Sequence, residues 1–145
     1  MEIREIEAKD LEELLRLYTQ LHGNEMPELN NQVRSIWDKI LRDQNHRIFV
    51  GEVEGRIVSS CVLVIIHNLT RCQRPYALVE NMITDATYRK RGFATALLQF
   101  AKDAAIKEGC YKIMLLTGSK EESTLDFYER AGFNRTDKTG FIQWL

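Results

Sequence analysis

The sequence lacks a bias in charge. Its 145 residues include 20 basic and 21 acidic side chains, which give a formal net charge of −1. A protein that holds nucleic acid or an anionic membrane surface by general electrostatics carries a basic excess, so the composition disfavours both partners. Long apolar runs are also absent, since the longest, residues 61–66, has the length of a strand and not of a membrane span. Charged residues follow Met1 closely, so no signal peptide is expected.

Cysteine is scarce as well. The cysteines are Cys61, Cys72 and Cys110. Because they are odd in number, widely spaced and without a Cys-x-x-Cys pair, we expect reduced thiols in a cytoplasmic protein, each a small buried hydrophobe. The histidines are His22, His46 and His67. They are isolated from one another and from the cysteines, so no metal site is predicted.

Hydrophobic periodicity and turn residues predict one domain over residues 1–145, with no repeats or linkers. The predicted strands are 2–7, 48–53, 57–66, 76–84, 112–116, 133–138 and 141–145, and the predicted helices are 10–23, 32–41, 93–108 and 123–130. A capping box of Asp10 and Glu13 is expected to start the first helix, and Glu54-Gly55 to turn a hairpin. This order mixes hairpins with βαβ crossovers. It predicts an α/β (α+β) fold with a mixed, mostly antiparallel sheet flanked by helices.

Amphipathic stripes predict which helix faces are buried. In the first helix the stripe is Leu11, Leu14, Leu15, Tyr18 and Leu21. In the second it is Val33, Ile36, Trp37 and Ile40.

The stretch from residue 76 to 109 organises the chain. An apolar strand leads into the basic turn Arg89-Lys90-Arg91-Gly92, and a helix follows at once. Free N–H groups and the positive end of the helix dipole make such a helix start an anion site. The turn adds three cations, and Gly92 lets the backbone approach a ligand closely. The stretch therefore predicts a phosphate-binding turn.

Two segments of the chain resemble the GNAT family, the Gcn5-related N-acetyltransferases. Residues 89–94, Arg-Lys-Arg-Gly-Phe-Ala, fit the family's pyrophosphate-binding pattern Gln/Arg-x-x-Gly-x-Gly/Ala. Residues 127–133, Phe-Tyr-Glu-Arg-Ala-Gly-Phe, resemble a Phe-Tyr-x-x-x-Gly-Phe segment found late in these enzymes. The predicted element order also matches the family along nearly the whole chain.

The resemblance implies an acetyl-CoA site and an N-acetyltransferase fold. The residues that it places at the acetyl-CoA are Met82, Ile83, Thr84, Arg89, Lys90, Arg91, Gly92, Phe93, Ala94, Thr95 and Tyr128. Main-chain groups of residues 82–84 would pair with the pantetheine amides, and the turn would hold the pyrophosphate. The chain departs from the family at Glu121, where many members have Asn, and this puts one polar contact to the cofactor in doubt.

Glu80 is a candidate general base. It interrupts the apolar strand and is predicted to share a face with Leu78 and Met82. A carboxylate there is costly unless it is paired or solvated in a cleft, and in a cleft it can accept a proton from an amine. The alternative is a structural role, with Glu80 paired to an arginine or facing solvent. Some family members, among them glucosamine-6-phosphate acetyltransferases, carry Glu at the matching position and also resemble residues 109–113 of this chain.

Tyr128 is a candidate general acid. The resemblance places it near the sulfur of the acyl carrier, and a phenol can protonate a departing thiolate. Phe127 and Tyr128 lie about 100° apart on a helix, so one is expected to pack in the core and the other to face a cleft. The alternative is a core aromatic.

The implied reaction is acetyl transfer from acetyl-CoA to a primary amine by direct attack in a ternary complex. The acceptor is expected to be a small molecule, or else a peptide or protein amine. His67, Arg71 and Arg74 could line its pocket or form a solvated loop face, and Trp37 could wall it or pack in the core. Two other functions remain open: a non-catalytic acyl-CoA-binding module, and nucleic-acid binding through the basic turn. A homodimer is common for this resemblance.

Overall fold

A five-stranded sheet forms the centre of the computed structural model, which describes residues 1–21, 23 and 25–145. The strands are β1 (Glu2–Glu5), β2 (His46–Val53), β3 (Arg56–Ile66), β4 (Tyr76–Thr84) and β5 (Ile113–Leu115), in the spatial order β1-β2-β3-β4-β5. The helices are α1 (Leu11–Tyr18), α2 (Asn31–Arg42), α3 (Phe93–Lys107) and α4 (Glu122–Arg130), and short 3₁₀ turns cover Ala8–Asp10 and Ala86–Tyr88. The sheet is antiparallel except for the parallel pair β4–β5. The predicted fold class is confirmed. His22 was predicted to bind no metal, and Asn24 was predicted to lie in a polar connection. Both residues lie outside the described residues.

Each face of the sheet carries its own apolar core. On one face, α1 and α2 bury Leu14, Leu17 and Trp37 against Val50 and Val62, among other side chains. On the other face, α3 packs Leu97, Leu98, Ala101 and Ala105 against a cluster that includes Phe49, Leu63 and Val79. Leu17, which the predicted stripe omits, is 1% exposed, whereas Ile36 is 49% exposed and not buried as predicted. The sheet therefore separates the two sides of the molecule, each with its own core.

Local turn chemistry explains several element ends. Glu54 and Gly55 both have positive φ, 51° and 78°, which is the signature of a two-residue type I′ hairpin turn between β2 and β3. The predicted capping box is wrong in its partners. Asp10 accepts a hydrogen bond from the Glu7 N–H at 2.7 Å, while Glu13 pairs instead with Arg16 at 2.9 Å. The box is formed by Glu7 and Asp10 and starts the 3₁₀ turn that precedes α1.

The two strands predicted at 133–138 and 141–145 do not form in the described chain. Residues 134–145 are exposed and belong to no strand. Periodicity alone cannot supply a strand, because a strand also needs a neighbour that pairs with its backbone. Within the described residues, the outer edge of β5 carries no such neighbour.

The cysteines are free and differ in exposure. Cys61 is buried in the sheet, Cys110 is half-buried and Cys72 is exposed. The expectation of burial is therefore wrong for Cys72, which lies in the loop between β3 and β4. Burial raises the pKa of the Cys61 thiol to about 12, so that side chain behaves as a small hydrophobe.

Candidate active site

A β-bulge opens the sheet at the middle of β4. Ser60 pairs with Ile83 and Val62 pairs with Glu80, so one residue of β3 faces two of β4, Asn81 and Met82. Asn81 adopts a left-handed conformation, with φ of 49°, which Asn tolerates better than most residues. Because of this extra residue, the side chains that follow it along β4 point to the face opposite to the one that strict alternation would give them.

The bulge overturns one prediction about Glu80. Its ladder partner Val62 belongs to the core under α1 and α2, whereas Met82 packs on the core under α3. Glu80 and Met82 therefore lie on opposite faces, because the bulge adds one residue between them. Glu80 is half-buried and, within the part of the chain that the structure describes, has no hydrogen-bond or ion-pair partner. Within the described residues, Glu80 therefore does not pair with an arginine, which was one of the structural alternatives.

β4 and β5 pair only over Ala77–Val79 and Ile113–Leu115. Beyond Val79, β4 has β3 on one side and no described strand on the other, so the backbone groups that point away from β3 lack a ladder partner. This leaves an open edge of the sheet along residues 80–84, which we name the slot. A chain with amide groups can line such a slot in the manner of an added strand.

The basic turn lies where this slot meets α3. Lys90 and Gly92 both have positive φ, 60° and 80°, and Gly92 is the N-cap of α3. The first backbone hydrogen bond of the helix joins the Ala96 N–H to the Gly92 carbonyl at 3.0 Å. The N–H groups of Phe93, Ala94 and Thr95 consequently have no partner inside the helix. A Cβ placed on Gly92 meets no atom within 4 Å, so the space beside Gly92 is open.

Two of the three cations of the turn are held by the protein itself. Arg89 donates from Nε to the Thr84 carbonyl at 3.1 Å. The guanidinium of Arg91 lies 5.0 Å from the centroid of the Tyr88 ring, which in turn stacks on Phe93 at 6.1 Å. Both arginines are exposed, so they bring positive charge to the helix start without being buried. The turn has the donors, the charge and the space that a phosphate group needs.

Gln20 ties the end of α1 to the 3₁₀ turn at Ala86–Tyr88, which precedes the basic turn. Its side-chain amide donates from Nε2 to Asp85 at 3.0 Å and its Oε1 accepts from the Ala86 N–H at 3.0 Å. The other carboxylate oxygen of Asp85 accepts from the Thr87 N–H at 2.9 Å and from the Thr87 hydroxyl at 2.6 Å. Hydrogen bonds from Thr87, opposed by burial and aided by Gln20, keep the pKa of Asp85 below its ordinary value. This clamp is not predictable from the sequence, because Gln20 and Asp85 are 65 residues apart.

Tyr128 lies on the α3 side of the sheet. It is half-buried and packs on the cluster that includes Val79, with ring centroids 5.0 Å from Phe127 and 6.2 Å from Phe133. Phe127 packs on the same cluster, so the prediction that only one of the two faces the core is wrong. Burial raises the pKa of the Tyr128 phenol above its ordinary value. The group therefore stays protonated over the whole neutral range.

A cavity of about 290 Å³ lies beside α1, on the side of Glu80. It is lined by Leu15, Tyr18, Thr19, Glu25 and Pro27. The Tyr18 hydroxyl is 3.5 Å from that of Ser60, which pairs with Ile83 next to the bulge. The sequence predicts Tyr18 only as part of the buried stripe of the first helix. The aromatic ring and carboxylate suit an organic cation, because both attract positive charge.

The residues suggested for an acceptor pocket lie elsewhere. Arg74 donates to the carbonyls of Gly109 and Cys110 at 3.1 Å, and Arg71 stacks on Tyr111 at 5.7 Å. These arginines precede β4 and are remote along the strand from Thr84, so the solvated-loop interpretation is correct for them. Trp37 is 6% exposed and donates to the Ala8 carbonyl at 3.2 Å, which makes it a core residue. His67, 3.4 Å from Asn45, lies in the same loop region.

No group of three or more His, Cys, Asp or Glu side chains that could hold a metal occurs in the described ranges. Likewise, none of the described helices is long and apolar enough to cross a membrane.

Glu121 is the N-cap of α4 but makes no side-chain capping bond.

Comparison with known proteins places this geometry in a family. The model of the acetyltransferase (GNAT) family matches residues 8–133. A glucosamine 6-phosphate N-acetyltransferase from Trypanosoma brucei brucei is 31% identical over 95% of this chain and 92% of its own. A spermidine N(1)-acetyltransferase from Escherichia coli K12 is 26% identical over 92% of this chain and 73% of its own. Among solved structures, a protein described as an acetyltransferase from Agrobacterium tumefaciens str. C58 is 36% identical, covers 100% of both chains and has a TM-score of 0.93.

Proposed function

The chain belongs to the acetyltransferase (GNAT) family as an N-acetyltransferase, and we propose that it moves the acetyl group of acetyl-CoA to a primary amine of a small molecule. The observation that carries the proposal is the basic turn at the start of α3, where N–H groups without a partner inside the helix follow a Gly92 with open space beside it, next to the slot along β4. A pyrophosphate carrier with an amide-containing arm needs both features together.

We assign the acetyl-CoA contacts to two elements. The N–H groups of residues 93–95, with Arg89, Lys90 and Arg91, would hold the pyrophosphate, since these donors and charges adjoin Gly92 in the chain and the space beside Gly92 is open. The backbone of Met82, Ile83 and Thr84 would line the arm, because it borders the side of β4 that has no described strand partner. Acetyl-CoA supplies the acetyl group as a reactive thioester.

Two side chains on opposite faces of the sheet would move the protons. Glu80 lies on the α1 face, and its side chain has no partner among the described residues; it accepts the amine proton directly or through a water. A main-chain N–H of residues 82–84 polarises the acetyl carbonyl. Tyr128, on the α3 face, gives its proton to the sulfur as the carbon–sulfur bond breaks and the carbon–nitrogen bond forms. The opposed placement supports direct attack, because a base beside the amine and an acid beside the sulfur can both act on one tetrahedral intermediate.

The acceptor would enter from the α1 side. The cavity beside Tyr18 and Glu25 lies on that face, and its carboxylate favours a cationic amine. Two relatives named for acetylating glucosamine 6-phosphate and spermidine support a small molecule over a peptide or protein amine. We further propose that the protein is a homodimer in the cytoplasm. Residues 1–145 would act as one domain, and neither nucleic acid nor a membrane would be a partner.

A binding measurement tests the cofactor assignment. Acetyl-CoA is expected to raise the melting temperature more than pantetheine does at equal concentration, because only the former carries the pyrophosphate that the turn binds. Equal shifts would mean that the turn is not the phosphate site. Release of free thiol with a panel of amines then measures turnover. Acetyl-CoA binding without turnover of any amine would favour a non-catalytic module of the same fold.

A further inference from the structure

The paired part of β4 and β5 carries a row of side chains on the α1 face of the sheet. Tyr76, Leu78 and Glu80 are alternate residues of β4, so their side chains share that face. On β5, Met114 pairs beside Leu78, and the residues on either side of Met114 pack on the core under α3. Met114 therefore faces the α1 side, as does Lys112, two residues before it. We name Tyr76, Leu78, Lys112 and Met114 the open strip.

The middle of the open strip is apolar. Leu78 and Met114 are half-buried, and neither belongs to the described side chains that pack on the core under α1 and α2 or on the core under α3. An apolar pair that the helices leave uncovered offers contact area to the methylene groups of a ligand. This part of the strip therefore favours an aliphatic chain over a polar group.

A lysine closes the end of the open strip that lies away from the slot. The Ala77 N–H donates to the Lys112 carbonyl at 3.0 Å, which fixes the backbone of Lys112 beside Tyr76. The Lys112 ammonium lies 4.8 Å from the centroid of the Tyr76 ring and 5.6 Å from that of Tyr111. It makes no hydrogen bond or ion pair within the described residues. The two rings therefore place an ammonium whose donors are available to an anion.

The charged groups at the two ends of this row have opposite signs. Glu80 lies four residues beyond Tyr76, which is about 13 Å at a strand rise of about 3.3 Å per residue. Glu80 is also the first residue of the slot, in which the arm of acetyl-CoA is proposed to lie. An acceptor whose amine meets the thioester at Glu80 therefore extends over Leu78 and Met114 toward Lys112.

We propose that the acceptor is a linear amino acid whose carboxylate lies at the opposite end of the chain from the reacting amine, and that Lys112 binds this carboxylate. The substrate class rests on the proposed function, and the bonds made and broken are those of the acetyl transfer described there. A contact of about 2.8 Å at each end of the row leaves about 7 Å between the amine and the carboxylate. An extended chain of roughly six carbon atoms spans that distance.

Matched pairs of amines test this substrate class. The amines ε-aminocaproate and hexylamine share their chain length and differ in the terminal carboxylate. The parent should acetylate ε-aminocaproate with a KM about tenfold lower than that for hexylamine, because only the former pairs with Lys112. The advantage should be absent for the shorter pair of β-alanine and propylamine, since the carboxylate of β-alanine cannot reach Lys112.

Substitution of Lys112 then assigns the preference to one side chain. Lys112→Met keeps the length of the side chain and should raise the KM for ε-aminocaproate about tenfold, with a much smaller effect on kcat. Lys112→Arg retains a cation and should retain most of the preference. Lys112→Glu should reverse it in favour of hexamethylenediamine, whose second ammonium pairs with a carboxylate. The matched control is Lys102→Met, which removes an exposed lysine of α3 and should keep the preference of the parent.

The outcomes separate this proposal from the proposed function. Equal KM values for ε-aminocaproate and hexylamine, or a preference that survives Lys112→Met, would overturn the role of Lys112 while acetyl transfer stands. If no amine of either pair is acetylated, the proposed function fails, and calorimetric titration of ε-aminocaproate into the protein with CoA decides the binding site. Binding that weakens in Lys112→Met and not in Lys102→Met supports the open strip, and absence of binding overturns it.

Discussion

At the scale of single residues, Tyr128 and Glu80 differ in what surrounds them. Tyr128 is enclosed by two aromatic rings and the α3 core, and burial alone raises its pKa. Glu80 is half-buried with no described partner. A protonated phenol and an unpaired carboxylate on opposite faces of one slot are suited to donate and accept protons, respectively.

Replacement of Tyr128 by Phe should lower kcat about 10²–10⁴-fold, the usual effect of a positioned proton donor. The ring and its packing remain, so acetyl-CoA binding should change little. Because the pKa of Tyr128 is raised, the parent should show no alkaline loss of activity from this group below about pH 10. Tyr111→Phe, which removes a hydroxyl at the start of β5, is the matched control and should turn over like the parent. A Tyr128→Phe protein as active as that control would make Tyr128 a core aromatic.

Replacement of Glu80 by Gln keeps the shape but removes the proton acceptor. We expect kcat/KM to fall about 10²-fold or more with a strongly basic amine. The loss should shrink with an amine of low basicity, which is already unprotonated at neutral pH. Glu54→Gln, in the exposed β2–β3 turn, controls for loss of one negative charge. An equal loss with both amines would indicate a structural role for Glu80, and the base would have to be sought elsewhere.

At the scale of elements, the end of α1 is connected to the 3₁₀ turn that precedes the basic turn. The Gln20 side chain joins the end of α1, which lines the cavity, to Asp85 and Ala86 of that 3₁₀ turn. Arg89 adds a bond from the basic turn back to β4. The two proposed substrate sites therefore share one scaffold, although their residues come from different parts of the chain.

Gln20→Ala removes two hydrogen bonds that hold the turn. At about 1 kcal/mol each, their loss should raise the KM for acetyl-CoA roughly fivefold to thirtyfold, with a smaller change in kcat. The matched control is Gln99→Ala, since Gln99 donates at 2.8 Å to Asp103 on the exposed face of α3, away from the site. An unchanged KM in Gln20→Ala, measured by initial rates beside this control, would show that the turn holds its shape without the clamp.

At the scale of the whole molecule, one network attaches the chain start to the sheet. Arg4 donates to Asp10 at 2.6 Å and to Glu52 of β2 at 2.8 Å, and Asp10 is 4% exposed. Burial opposes ionisation of Asp10, but the hydrogen bonds from Arg4 and from the Glu7 N–H outweigh it, so the pKa of Asp10 is lowered. This links the position of α1 to the edge of the sheet.

The lowered pKa of Asp10 predicts a sensitivity to acid. A carboxyl whose folded-state pKa is depressed stabilises the fold above its unfolded pKa, about 3.9, and that contribution is lost as the pH falls further. Asp10→Asn should lower the free energy of unfolding by about 3 kcal/mol at pH 7, because it leaves Arg4 with less compensation. The difference from the parent should narrow near pH 3. Urea unfolding at both pH values measures it, with Lys9→Ala, which breaks an exposed ion pair, as the control. A difference that stays constant with pH would contradict the assignment.

The sequence by itself determined the features that depend on neighbours within about ten residues. Apolar spacing placed α2, α3 and α4 within two residues of their observed bounds, and Glu54-Gly55 fixed the hairpin because both residues tolerate positive φ. The strand, basic turn and helix of the proposed phosphate site were predictable for the same reason. Their conformations follow from local sterics and capping.

Only the tertiary structure decided which sides these elements present to one another. The bulge at Asn81 depends on the register between β3 and β4, and it alone puts Glu80 and Met82 on different faces. The contact between Gln20 and Asp85 needs α1 to cross the end of β4. The composition of residues 141–145 predicts a strand, but these residues form none. A strand must pair with the edge of a neighbouring strand, and composition alone does not supply that neighbour. Such features join residues that are distant in the chain, so their free energy appears only once the sheet has assembled.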